Sequence, residues 1–148
     1  NRLSDSLNNK KLIEDCLSYK DDIIKNFENR NYSTNIRLIT SLADKVNKYI
    51  DDEKPWIKIK NDTEKDLVHK ICTDGLNLFR ILIGYLKPVL PNISMKVESI
   101  LLCESMNWKN LDTLLVNKDI SKFRPIITRI NDDDLDSMKN KNKGENND

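Results

Sequence analysis

Several ingredients of common enzyme chemistry are scarce in these 148 residues. There is one histidine, His69, and the three glycines, Gly75, Gly84 and Gly144, stand apart from one another. A loop that cradles phosphate needs clustered glycines whose backbone N–H groups can approach the ligand, so that motif is excluded. One imidazole with no matching nucleophile pattern argues against covalent catalysis. The three cysteines, Cys16, Cys72 and Cys103, are odd in number and far apart, and each falls in an apolar helical pattern. A zinc centre would need paired spacing and more histidine. The expectation is therefore buried, reduced thiols in a cytoplasmic protein, with no metal. No apolar run approaches the ~20 residues that span a bilayer, and no secretory leader pattern is visible. Neither sign of charge dominates: 25 Lys and Arg oppose 24 Asp and Glu, for a net charge of +1. Any contact with nucleic acid would be local rather than through a field over the whole domain. Alanine is almost absent, Ala43 being the only one, while Asn, Lys and Ile abound, as an A/T-rich coding sequence would produce.

What is present is helical periodicity. Leu12, Cys16, Tyr19, Ile23 and Phe27, with Ile13, Leu17 and Ile24 alongside, predict one helix over Lys10 to Phe27 with a broad apolar face. "ENRNYST" breaks it, and Asn31, Ser33 or Thr34 is expected to cap the next start. Ile36, Ile39, Ala43, Val46 and Ile50 predict a second helix that ends near Glu53, because the residue before Pro55 is pushed out of the α region. Thr63 with Asp66 reads as a variant capping box opening a third helix. That helix carries two apolar stripes: Leu67, Ile71, Leu78, Leu82 and Tyr85, then Val68, Cys72, Gly75 and Phe79. A helix apolar on two sides is central. Gly75 costs about 1 kcal/mol against Ala in mid-helix, so close packing of another helix is its expected purpose. Pro88 and Pro91 end the third helix and open a fourth over Ser94 to Cys103.

Beyond the short turn "WKNLDTLL" the pattern is irregular as far as "PIITRI". The expected fold is all-α: an antiparallel helix bundle with an irregular C-terminal segment packed on it. Residues 1–131 form the domain, and 132–148 a largely disordered tail or linker, since the last ten residues have no apolar side chain. Carboxylate groups such as Asp21–Asp22, Asp51–Asp52–Glu53 and Asp132 to Asp134 read as solvated charge. Trp108 is expected to cover the end of the fourth helix, Arg80 to pair with an acid such as Asp44 or Asp74, and His69 to lie on the surface. Trp56 is the open question. In "KYIDDEKPWIKIKND" it follows the proline that ends the second helix, beside Lys54, Lys58 and Lys60. It can plug the core or offer a flat face to a partner.

Three stretches carry a resemblance. They are "LITSLADKVNKYIDDEKPW", "GLNLFRILIGYLKPVLP" and "FRPIITRI", in that order. Together they resemble the C-terminal, anticodon-binding helical domain of methionyl-tRNA synthetase, a class I aminoacyl-tRNA synthetase, over about Leu3 to Ile130. The "KPxLP" breaker is shared loosely with related synthetases. Ala43-Asp44, Asn47, Tyr49, Asp51 and Pro55-Trp56 are closer to the methionine enzyme. The resemblance implies that Trp56 stacks on the C of a CAU anticodon. It implies that the full enzyme joins methionine to its tRNA with ATP and Mg, through a catalytic domain of the same chain that this segment lacks. On that reading Pro55 stiffens the approach, Lys54, Lys58 and Lys60 are placed to meet phosphates, and Arg129 matches a family arginine that aids tRNA binding. No cofactor, metal or membrane is expected for this segment. Asn47 and Tyr49 are expected to pack and hydrogen-bond within the bundle.

The chain departs from the family in one respect. The family reads bases with an Asn-x-x-x-Arg pair on an earlier helix, and this chain begins at Asn1, too late to contain it. Asn26 and Arg30 repeat the spacing at the wrong place and are read as a helix end. The first core helix is expected to be missing too, leaving an apolar face open. Two other readings stand beside this one: a helical protein-interaction module without an RNA role, and the equivalent domain of a synthetase for valine, leucine or isoleucine.

Overall fold

The computed structural model describes residues 1–127; the expected domain boundary at residue 131, the tail and Arg129 lie outside them. Six α-helices follow one another: α1 (Lys10–Ser18), α2 (Lys20–Glu28), α3 (Tyr32–Glu53), α4 (Pro55–Lys58), α5 (Lys65–Leu86) and α6 (Pro91–Leu101), with a 3-10 turn at Asp62–Glu64. The fold is an all-α bundle. No described helix is long and apolar enough to cross a membrane.

The single helix expected over residues 10–27 is divided at Tyr19 into α1 and α2. Ser18 Oγ donates to the Asp15 carbonyl at 2.7 Å, a local bond that competes with the helical ladder. The apolar face survives the break, and Ile13, Cys16 and Ile23 are all buried. The α3 start at Tyr32 has no side-chain cap. Ahead of α5, Asn61 rather than Thr63 supplies the cap: its Oδ1 accepts from Thr63 N at 3.2 Å, and the short turn then runs into α5. α6 starts three residues earlier than expected, with Pro91 in its first turn, where a missing N–H costs nothing.

Helix α5 is central. One face joins Ile71, Leu78, Ile81, Leu82 and Tyr85 to Ile13, Cys16, Ile23, Ile39, Leu42 and Val46 of α1, α2 and α3. The opposite face, through Ile83, Leu76 and Phe79, joins Leu3, Val97, Leu101, Met106 and Leu115. Two-sidedness was legible in the sequence, but of the expected second stripe, Val68, Cys72, Gly75 and Phe79, only Phe79 belongs to this second cluster. Cys72 is exposed and Cys103 only partly covered, so of the three thiols Cys16 alone is buried. Helices α3 and α5 run antiparallel: the chain reverses between Glu53 and Lys65, bringing Tyr49 to Asp74 and Ile50 to Gly75. A Cβ on Gly75 would sit 3.2 Å from Ile50 Cδ1, the close approach expected of it.

Arg80 finds carbonyls, not an acid. Nη1 donates to Leu111 O and Thr113 O at 3.1 and 3.0 Å, and Nη2 to Asn110 O at 2.8 Å. A planar fork of donors suits a loop that turns its carbonyls inward. This loop follows α6 and carries Trp108, whose ring lies 6.2 Å from those of Tyr85 and Phe27. Trp108 is structural as expected, but it covers the α2 and α5 core rather than the end of α6. The irregular segment is pinned to the chain start: Leu3 N donates to Lys118 O, Asn117 N to Ser4 O and Ile120 N to Asn1 O, each within 2.8–2.9 Å. Asn77 adds a reciprocal pair with the Leu115 backbone at 2.7 and 2.9 Å.

Candidate nucleic-acid interface

Lys54 is the joint between α3 and α4. Its N–H donates to Ile50 O at 3.0 Å, closing α3, and its carbonyl accepts from Ile57 N at 2.9 Å, opening α4. Its φ and ψ are 47° and 56°, the left-handed region. Proline at the next position explains the departure from right-handed geometry, and Pro55 then takes the first position of α4, where its fixed φ suits a helix start.

The consequence is a one-turn helix at the end of the bundle, lying against α5. None of its residues is buried. Trp56 is 53 % exposed and joins neither core cluster. Ile57 and Ile59 are similarly exposed. An isolated, half-exposed tryptophan with apolar neighbours is a surface rather than a plug.

The nearby charges are mostly paired. Lys48 meets Asp52 at 3.2 Å, Lys65 meets Asp62 at 2.6 Å, and Lys58 bonds to Glu53. Lys54 and Lys60 are exposed and have no carboxylate within salt-bridge distance among the described residues. Lys58 is thus brought to the tip, but facing back to the end of α3.

Beside Pro55 runs an apolar groove of about 560 Å³, walled by α3 and α5 through Ala43, Val46, Ile50, Gly75, Leu76 and Phe79. Asn47 borders it, exposed and outside the hydrogen bonding expected of it. Tyr49 does bond within the bundle: Oη donates to Asp74 Oδ2 at 2.7 Å and accepts from Asn8 Nδ2 at 3.2 Å. Burial is the main force raising the Tyr49 hydroxyl above its ordinary pKa, with the Asp74 bond adding to it. Asn26 and Arg30 form the end of α2, as expected; Asn26 O accepts from Asn31 N and Arg30 has φ 60°. Among the described residues no three His, Cys, Asp or Glu side chains gather as metal ligands would.

A helical bundle with an exposed Pro-Trp tip is what the family resemblance implies. The family model described as the anticodon binding domain of methionyl tRNA ligase matches residues 4–147. The chain belongs to this family. Methionine–tRNA ligases of Francisella tularensis subsp. holarctica, strains FTNF002-00 / FTA and OSU18, are each 39 % identical to it over 118 residues, 80 % of this chain. That alignment takes in 18 % of each relative, so the chain spans under a fifth of the length of these curated relatives. Within the anticodon-binding family, the two features sequence reasoning missed are the Glu53–Lys58 pair and the left-handed Lys54. Both arise from how the chain re-enters a helix after Pro55, and only the spacing of opposite charges across "EKPWIK" hinted at the pair.

Proposed function

We propose that this chain reads the CAU anticodon of methionine tRNA, with Trp56 stacked on the C, as part of a longer cytoplasmic protein. That protein would join methionine to its tRNA with ATP and Mg, through a catalytic domain of the same chain. The observation that carries the reading is the half-exposed Trp56 on a one-turn helix outside both cores. A flat aromatic face is sequence-tolerant and contributes about 1–3 kcal/mol per stacked base. Pro55 limits the entropy lost on binding. Lys54 and Lys60, exposed and without a carboxylate partner among the described residues, meet phosphates near the stacked base, Lys58 supports the tip, and Arg129 contributes to tRNA affinity. Choice of C requires hydrogen bonds to its Watson–Crick edge. The groove beside Pro55 is suited to the apolar face of the helix that carries the family's Asn-x-x-x-Arg pair.

The test is Trp56→Ala in the full-length protein, with aminoacylation of methionine tRNA as the readout. The expected outcome is a fall in kcat/KM of tenfold or more, the size of a lost stack. A change within about twofold would remove stacking as the role of Trp56. A stem-loop bearing CAU should also quench Trp56 fluorescence at low salt more strongly than one with a changed anticodon. Quenching by neither would instead favour a protein partner for this face.

A further inference from the structure

We propose that Glu53 and Lys58 act as a clasp across the break between α3 and α4 and fix the attitude of Trp56. This deepens the stacking reading above and rests on it. Lys58 then influences RNA binding through Glu53, not by touching a phosphate.

The need for a clasp follows from the geometry. Helix α4 is four residues long, and a single turn in isolation is unstable. It lies against α5 but buries no residue, so packing leaves its attitude only partly fixed. Its backbone tie to α3 is one left-handed residue, Lys54. Glu53 is the last residue of α3 and Lys58 the last of α4, and the carboxylate and ammonium bond to each other across that joint. They stand on different helices, so the pair ties one element to the next rather than reinforcing a single turn.

This pair differs from its neighbours in shelter. The Glu53 and Lys58 side chains are about a quarter exposed, whereas those of Lys48–Asp52 and Lys65–Asp62 are between 61 % and 88 % exposed. A sheltered pair is less screened by salt and holds one geometry more of the time. Trp56 lies between Pro55 and Ile57, inside the span the pair closes. Two cations at the tip, Lys54 and Lys60, are left for phosphates, so binding RNA does not require opening the clasp.

The experiment uses the full-length protein and four variants: Glu53→Gln, Lys58→Met, the two together, and the exchange of Glu53→Lys with Lys58→Glu. Aminoacylation is measured against tRNA concentration and against salt. The resonance of Trp56 is followed by fluorine NMR in 5-fluorotryptophan-labelled protein and assigned with Trp56→Phe. The expected result is that each single change raises KM for tRNA by about 3-fold to 5-fold, with kcat at saturating tRNA unchanged. The double variant is no worse than the weaker single, because one interaction is lost once. The exchange restores KM to within about twofold. The Trp56 resonance shifts or broadens in both singles without RNA and recovers in the exchange. The proposal is overturned if Glu53→Gln leaves KM unchanged while Lys58→Met raises it and lowers the salt slope by about one, the signature of a direct phosphate contact. It is overturned equally if neither single moves KM or the resonance. A tenfold loss in Trp56→Ala alongside unaffected singles removes the clasp alone. No loss in Trp56→Ala removes the stacking reading, and the role of the clasp in binding with it.

Discussion

The Tyr49 hydroxyl donates a 2.7 Å hydrogen bond to Asp74 Oδ2, tying α3 to α5 one turn before α3 ends. Asp74 is 0 % exposed and accepts two more bonds, from Asn8 N at 3.1 Å and Asn9 N at 2.8 Å. One carboxylate therefore fastens the N-terminal segment, α3 and α5. The helix that presents Trp56 starts just beyond this knot, so its base is stiff although its tip is exposed.

Asp74→Ala is expected to lower unfolding free energy by roughly 2–4 kcal/mol, since it removes the acceptor of three donors at once, one buried and two partly buried. Tyr49→Phe removes one donor to Asp74 and the acceptor of Asn8 Nδ2 but leaves both backbone bonds to Asp74 intact, and is expected to cost about 1 kcal/mol. Urea unfolding of both variants measures this. Equal costs would show that the backbone donors of Asn8 and Asn9 find other partners.

The two helical glycines of α5 should respond oppositely to alanine. At Gly84 a Cβ would overlap Leu111 Cδ1, and Leu111 is 1 % exposed, with little room to withdraw. Gly84→Ala is expected to cost about 1–3 kcal/mol by overpacking. At Gly75 the nearest atom is Ile50 Cδ1 at 3.2 Å, beside the open groove, so Ile50 can give way. The helix-propensity gain of up to about 1 kcal/mol then leaves Gly75→Ala neutral or slightly stabilising. Thermal melts of the pair decide between these signs.

The sequence made plain what depends on periodicity and on proline. The 3.6-residue spacing of α3 and α5, the two-sided character of α5 and the stop at Pro55 were all legible. Three things were not. The division at Tyr19 falls beside a Ser18 side-chain bond to the Asp15 carbonyl, and periodicity registers neither. Charge alone suggests an acid for Arg80, yet its partners are three carbonyls of a loop whose path no local pattern specifies. Its place beside Trp56 suggests a phosphate for Lys58, while its bond to Glu53 spans a joint that Lys54 makes left-handed. At this tip, the place of Trp56 just after the end of α3 was readable, and the pairing of Lys58 was not.

Alkaline pH should unfold the protein partly through Cys16. Burial, helped by the Asp15 charge, pushes this thiol from about 9 to about 11. The unfolded chain therefore begins to lose the proton near pH 9, while the folded chain keeps it until about 11. Stability from this group is complete below pH 9 and is lost as pH rises towards 11, by about 2–3 kcal/mol in all. Tyr49 and Tyr85, also raised chiefly by burial, add to the loss only above the ordinary tyrosine value near 10. Urea midpoints at pH 8, 9 and 10 should fall, and Cys16→Ala should flatten the fall between 9 and 10. An unchanged slope in that variant would assign the loss elsewhere.

The two tryptophans should separate stability from binding. Trp108 belongs with the packed core, its ring 6.2 Å from Tyr85 and from Phe27, on the loop that Arg80 holds. Truncating it opens a void between α2, α5 and this loop, and Trp108→Ala is expected to cost roughly 2–4 kcal/mol. Trp56 is 53 % exposed and belongs to neither core, so Trp56→Ala is expected to cost less, within about 1 kcal/mol. RNA affinity should show the reverse order. Once the temperature is low enough for both variants to be folded, Trp108→Ala should bind a CAU stem-loop nearly as the parent does, and Trp56→Ala at least tenfold more weakly. A Trp56→Ala variant that also melts several degrees lower would mean that the ring supports α4 itself, and part of its effect on binding would then be structural.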